Sequence, residues 1–413
     1  MDIKQKNYKS VQLILLFVLL IMIIVPGCNL PYEDPARGTA TQQNITRKTQ
    51  AFESLQQTAA ANMGEKPTPV SIGSVEPTET QTSAPTPEAT ADPNRKAPDL
   101  PAAFQTDLLN KLDYPHTYIS DTCEFLKNRW SAGKAEPGTI VLPIMYHGIM
   151  EGTADQLTVN NQITSDQHLA IAKNLKDQGF EAIDTEQFIA FMKNNDYIPA
   201  RSFMFIVDDR HYGSYFGDHF KPLYDQYGWK VVNAWISAEG TTQDLWDQNA
   251  AVEAAGYVDH QAHGVVHNVN MSDESSDEYL TSELQGSIDA IQSHFGKTPH
   301  AIIWPGGSFG SRPIEFAKKF GYEVGFTVNP RGPVMYNWVP LCDETDPGRP
   351  SYIADGKMDP LFVIPRMWDT DVSEHLDTMR QIGKAAKEEI IANRDIELEY
   401  YDIVCKAKYG EIQ

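Results

Sequence analysis

From residue 139 onward, short apolar runs alternate with amphipathic helical stretches. Residues 139–146 (TIVLPIMY) and 203–207 (FMFIV) are continuous apolar runs of strand length. Such runs mark strands buried on both faces, as in parallel sheets. Residues 165–178 have helical apolar spacing, with Ser165 as expected N-cap and Gly179 as stop; residues 277–295 form a longer helix stopped by Gly296. Further strands are expected at 180–183, 230–236, 256–260, 300–304, 323–328 and 361–364. Helices are expected at 185–194, 214–227, 242–255, 312–320 and 371–393. This alternation predicts an α/β fold with a parallel sheet and right-handed crossovers. Seven or eight units predict a distorted (β/α)7–8 barrel over residues 139–413. The Pro, Gly and Asp-rich stretch 330–360 reads as a long loop or lid. No GxGxxG or GxxxxGK[ST] occurs, so nucleotide binding has no local support.

The segment before the barrel reads differently. Lys4, Lys6 and Lys9 precede an apolar run at 11–25. That run is short of the roughly 20 residues needed to span a bilayer. A basic start, a short apolar middle and small residues after it describe a secretory signal over residues 1–27. Gly27-Cys28 at its end resembles a bacterial lipobox, with Cys28 as the lipidated residue. The expected location is therefore outside the cytoplasm, anchored by lipid to the cell membrane. Residues 28–105 are dominated by Thr, Gln, Ala, Pro, Ser and Glu, which cannot bury enough apolar surface to offset ordering entropy. They are expected to form a disordered tether, followed by an N-terminal helical extension at 106–138.

The chain has 413 residues, 34 basic and 56 acidic, for a net charge of −22. An acidic balance argues against nucleic acid as a partner. Four cysteines without a CxxC pair exclude both a disulfide scaffold and a thiolate zinc ribbon. Outside the cytosol, Cys123, Cys342 and Cys405 allow one disulfide and one free thiol, with the pairing open.

In a (β/α) barrel the chemistry sits at the C-terminal ends of the strands. His147 follows the 139–146 run and Asp208-Asp209 follow FMFIV. His263 and His267 follow the strand expected at 256–260, Pro305-Gly306-Gly307 follow HAIIW, and Arg366 follows LFVIP. Two adjacent carboxylates after an apolar strand need a cation or a hydrogen-bond network. Two histidines four residues apart face one side if that turn is helical. Two His and one Asp suit Zn²⁺ or a similar divalent ion.

These residues resemble the polysaccharide deacetylase family, carbohydrate esterase family 4. The resemblance implies a distorted (β/α) barrel that removes acetyl groups from polysaccharides. Ile206-Val207-Asp208-Asp209 is similar to the family's T-F-D-D motif, implying Asp208 as general base and Asp209 as metal ligand. His263-Gly264-Val265-Val266-His267 is similar to its histidine motif, implying two more ligands and one divalent ion, Zn²⁺ by ligand type. Trp304-Pro305-Gly306-Gly307 resembles the turn that lines the groove, with Tyr212 a further candidate for substrate contact. Arg210 stands where Gly is usual and Gly264 where Ser or Thr is usual. The usual late L-x-H motif is absent. Tyr146-His147 ahead of the aspartates and Pro365-Arg366 near the end are similar to the circularly permuted poly-N-acetylglucosamine deacetylase subgroup. That likeness implies His147 as general acid and Arg366 as the group that keeps Asp208 ionised. The implied activity is metal-dependent N-deacetylation of an N-acetylglucosamine-containing polysaccharide at the cell surface. An O-acetyl esterase on xylan or cell-wall glycan is one alternative. A catalytically inactive carbohydrate-binding lipoprotein is another.

Overall fold

The computed structural model describes residues 95–266 and 269–413. The signal segment, Cys28, the tether up to residue 94 and His267 lie outside the described residues. Residues 95–105, placed in the tether by composition, carry neither helix nor strand. Phe104 is nevertheless buried, and its carbonyl accepts a hydrogen bond from the Trp338 indole (2.9 Å).

Twelve strands follow in chain order: β1 (Asp113–His116), β2 (Ile140–Tyr146), β3 (Gly148–Met150), β4 (Gln162–Thr164), β5 (Glu181–Ala182) and β6 (Arg201–Asp208). Then come β7 (Val231–Trp235), β8 (Val258–Ala262), β9 (Ala301–Ile303), β10 (Val324–Phe326), β11 (Val339–Cys342) and β12 (Met367–Trp368). The main sheet has the order β10-β9-β8-β7-β6-β2-β12, with β5 also on β6. All its pairings are parallel. One short segment touches both edges. Ile364 bridges Phe326 of β10, and Met367 and Trp368 pair with Ile144 and Met145 of β2. The sheet is thereby a distorted barrel.

Side-chain alternation explains the continuous apolar runs. Val141, Met204, Ile206, Val232 and Ile302 pack in one core. Leu142, Ile144, Phe203, Phe205 and Val231 pack in the other. A strand with a core on each side has no polar face to show.

Several elements differ from expectation. Thr164, not Ser165, caps the helix Ser165–Asp177, in a capping box with Gln167. The helix expected at 214–227 is two, Gly213–His219 and Lys221–Tyr227, with Pro222 at the start of the second; proline is favoured in a first turn. The closing strand lies at Met367–Trp368 rather than 361–364, where a 3-10 turn stands.

The stretch 330–360 has a buried first part and a largely exposed loop from 343 onward. Residues 331–342 are buried throughout, and Val334 bridges Val141 of β2 antiparallel. Arg331 pairs with Asp113 (2.8 Å) and Asp355 (2.7 Å), and Arg349 also pairs with Asp113 (2.8 Å). Buried ion pairs of this kind pin a strap into the body, since each charge is costly without its partner. Intervening Pro, Gly and Asn residues break the strap's apolar pattern.

The helix Thr122–Trp130 is joined by the disulfide Cys123–Cys405 to the C-terminal region, leaving Cys342 as a buried free thiol. Among the described residues no helix is long and apolar enough to cross a membrane.

His168, which helical position alone would put on the surface, is buried beside Tyr146 and Phe220. Burial pushes its pKa down to about 4, against a weaker upward pull from the His219 carbonyl. The unfolded chain takes up that proton near pH 6.5, whereas the folded chain resists until about pH 4. Stability is therefore lost as pH falls through this window, by about 3 kcal/mol in full. His168→Gln keeps a donor for the His219 carbonyl without titrating. Urea unfolding at pH 7 and pH 5 should show a smaller acid loss in this variant than in the parent.

Candidate active site

The candidate residues converge at the C-terminal edge of the sheet. His147 follows β2, Asp208 ends β6, and His263 follows β8. β8 spans Val258–Ala262, two residues later than expected, so His263 leaves the strand directly. Its polar residues Asp259, His260 and Gln261 blur the apolar pattern that would mark its end.

Asp208 is buried and held by both prongs of Arg366. Nη1 donates to Oδ1 (2.6 Å) and Nη2 to Oδ2 (2.9 Å). The guanidinium is itself fully buried, and its Nε donates to the Thr327 carbonyl (2.7 Å). Burial alone would raise the Asp208 pKa. The Arg366 charge, helped by His263, outweighs it and holds the carboxyl below its ordinary value. A bidentate Arg–carboxylate pair is the geometry that fixes both charge and direction.

His147 Nε2 lies 3.8 Å from Asp208 Oδ2. Its ring stacks on Trp368 (centroids 6.0 Å apart, planes at 14°), and its carbonyl accepts from the Tyr215 hydroxyl (3.0 Å). Burial lowers its pKa, although Asp208 and Asp209 pull the other way.

Asp209 has φ of +73°, an uncommon conformation for a non-glycine residue. Asn233 holds this turn from β7, donating to the carbonyls of Val207 (2.9 Å) and Asp209 (3.0 Å). His211 supports the same turn: its Nε2 meets the Asp208 carbonyl (3.0 Å), and its ring stacks on Tyr215. Arg210 donates to the Thr241 hydroxyl (2.9 Å).

His263 Nδ1 donates to the Ile303 carbonyl (2.7 Å). That bond fixes the tautomer and leaves Nε2 as the free acceptor, the arrangement of a histidine ligand. Nε2 lies 4.0 Å from Asp209 Oδ1. Among the described residues no group of three His, Cys, Asp or Glu is arranged to hold a metal. Two of the three expected ligands do come together, and their donor types fit a divalent ion. The turn after His263 is not helical, because Gly264 has φ of +77°.

The third motif is only partly open to a ligand. Trp304 is fully buried, and its indole donates to the Phe362 carbonyl (2.7 Å). It packs in the barrel and offers no face to a sugar, which corrects its assignment as a substrate contact. Pro305 and Gly307 are buried too, while Gly306 is exposed. Gly307 is required by its φ of +69° and by Val328, 2.3 Å from any added Cβ. Tyr212 is half-buried at the start of the helix Gly213–His219. Sequence reading missed Asn233 and Glu283; their signal was weak, a single polar residue on an apolar strand or helix face.

Residues 198–325 match the family model for polysaccharide deacetylase. That match runs from just before β6 into β10. A search of curated proteins finds no match. The chain is similar in structure to the Streptococcus pyogenes deacetylase PplD in complex with acetate (19% identity, TM-score 0.46, 59% of this chain and 99% of that one). A de-N-acetylase from Aggregatibacter actinomycetemcomitans is also similar (17%, TM-score 0.42, 55% and 94%). So is IcaB from Ammonifex degensii (13%, TM-score 0.42, 61% and 99%).

Proposed function

We propose that this protein is a metal-dependent hydrolase that removes N-acetyl groups from an N-acetylglucosamine-containing polysaccharide. The observation that carries this reading is the buried Arg366 fork on Asp208, with His147 at 3.8 Å and the Asp209–His263 pair beside it. Asp209, His263 and His267 would hold one divalent ion, Zn²⁺ by ligand type, which would supply a carbonyl-polarising charge and a water of lowered pKa.

Asp208, kept ionised by Arg366, accepts a proton from the attacking water. Both Arg366 prongs fix where its lone pairs point. His147 delivers a proton to the leaving nitrogen. Burial leaves this imidazole short of its own proton near neutral pH. Asp208, once it holds the water's proton, would pass it to His147, whose Nε2 is 3.8 Å from Oδ2, after a small approach or through one water. Gly306, exposed on the turn after β9, would offer a backbone N–H to a developing oxyanion. Trp368 lies near-parallel to the His147 ring, centroids 6.0 Å apart, and walls one side of it.

An amine is a poor leaving group and an activated phenolate a good one. His147→Ala is therefore expected to cut amide cleavage by about 10²-fold or more while costing an aryl acetate much less. Equal losses on both substrates would remove the acid role.

The protein is further proposed to sit outside the cytoplasm, lipid-anchored to the membrane through Cys28, with acetylated polysaccharide as its partner. The Cys123–Cys405 disulfide supports an oxidising compartment. The test is acetate release by the Zn²⁺-supplied protein from poly-N-acetylglucosamine, chitin oligomers, peptidoglycan and acetylated xylan. Release from the amide substrates supports the reading. Release from xylan alone would make the protein an O-acetyl esterase.

A further inference from the structure

Glu283 lies on the helix Asp277–Phe295 and is fully buried. Its carboxylate faces the loop that leaves β8. Oε2 accepts from the backbone N–H of Val265 (2.7 Å) and of Val266 (3.0 Å), and Oε1 from Val266 (3.1 Å). These two N–H groups follow His263 and stand, in sequence, just before His267. Backbone N–H groups need partners, and in a loop without a ladder only a side chain or water can supply them. A carboxylate accepting two adjacent N–H groups does what a further strand would do.

Gly264 belongs to the same device. Its φ is +77°, and a Cβ there would stand 2.7 Å from Glu283 Oε2 and 3.1 Å from Pro305 Cγ. The glycine gives the carboxylate room to reach the two N–H groups. The unusual residue in the histidine motif is thus matched by an acidic residue on the neighbouring helix. The far end of the same loop residue, His263, is pinned by the Ile303 carbonyl. The ring is tied on one side and its backbone continuation on the other.

We propose that Glu283 is a positioning residue for the metal site, fixing through the backbone of Val265 and Val266 the loop that leaves His263. The inference rests on the metal-dependent reading above. Glu283 touches neither substrate nor ligand atoms, so its effect appears first in metal affinity.

The test uses the full chain and four proteins: the parent, Glu283→Ala, Glu283→Gln and Gly264→Ala. Zn²⁺ dissociation constants are measured by competition with a chromophoric chelator, alongside metal-free melting midpoints and acetate release. Glu283→Ala is expected to weaken Zn²⁺ binding on the order of 10-fold or more, as outer-shell losses do. Glu283→Gln keeps one amide oxygen for the two N–H groups and should recover most of that loss. Gly264→Ala leaves Glu283 in place but displaces its carboxylate, and should weaken Zn²⁺ by a similar factor. It also decides the matter if Glu283→Ala does not fold. Parental Zn²⁺ affinity in the folded variants would overturn the inference. If the parent itself binds no divalent ion, the metal-site reading fails, and this inference with it. That result is distinct from parent and variants binding alike.

Discussion

Asp208→Asn is expected to lower acetate release by about 10³-fold while Zn²⁺ uptake stays at the parental level. The amide keeps the shape of the side chain and one acceptor, but it cannot take a proton from water. The Arg366 guanidinium stays buried with its charge no longer neutralised, so the variant should also unfold at lower urea. Metal stoichiometry separates the two effects, since Asp209 and His263 are untouched. Near-parental turnover in a folded, metal-loaded Asp208→Asn protein would show that another group is the base.

Arg366→Met should have the larger effect on stability. Removing one partner of a buried ion pair typically costs about 3–5 kcal/mol, because the remaining charge loses its compensation. In the parent, Asp208 titrates below its ordinary value, so its stabilisation is present above the unfolded carboxylate value and is lost as pH falls through the lower folded one. Without the guanidinium, burial dominates and pushes the carboxyl up. The variant then loses stability as pH rises through the carboxylate range. The gap between parent and variant should therefore be narrow near pH 4 and wide near pH 8 in urea titrations. The acidic limb of the acetate-release profile should move to higher pH as well. A gap independent of pH would mean that Arg366 serves packing alone.

Much of this protein can be read from its sequence. The barrel is legible because β2 and β6 are buried on both faces, and such strands must be continuous apolar runs. The positions of His147, Asp208 and Asp209 follow from that, since a polar residue directly after such a run stands at a strand end. Arg366 was legible through the motif it completes, although its strand was misplaced. A two-residue strand such as β12 has too few residues to show any period.

What sequence did not show has one physical cause: it depends on contacts between residues distant along the chain. Trp304 read as a sugar platform, yet the Phe362 carbonyl draws its indole into the core. The stretch 330–360 read as a long loop or lid, yet Asp113, more than 200 positions earlier, neutralises Arg331 and Arg349 inside the fold. Glu283 has no mark in its local sequence, yet it faces two backbone N–H groups that no strand satisfies. Apolar periodicity, and the polar residue that ends it, are local and were written in the sequence. Only the tertiary structure decided which buried charge meets which partner, because that pairing depends on how distant segments close on one another.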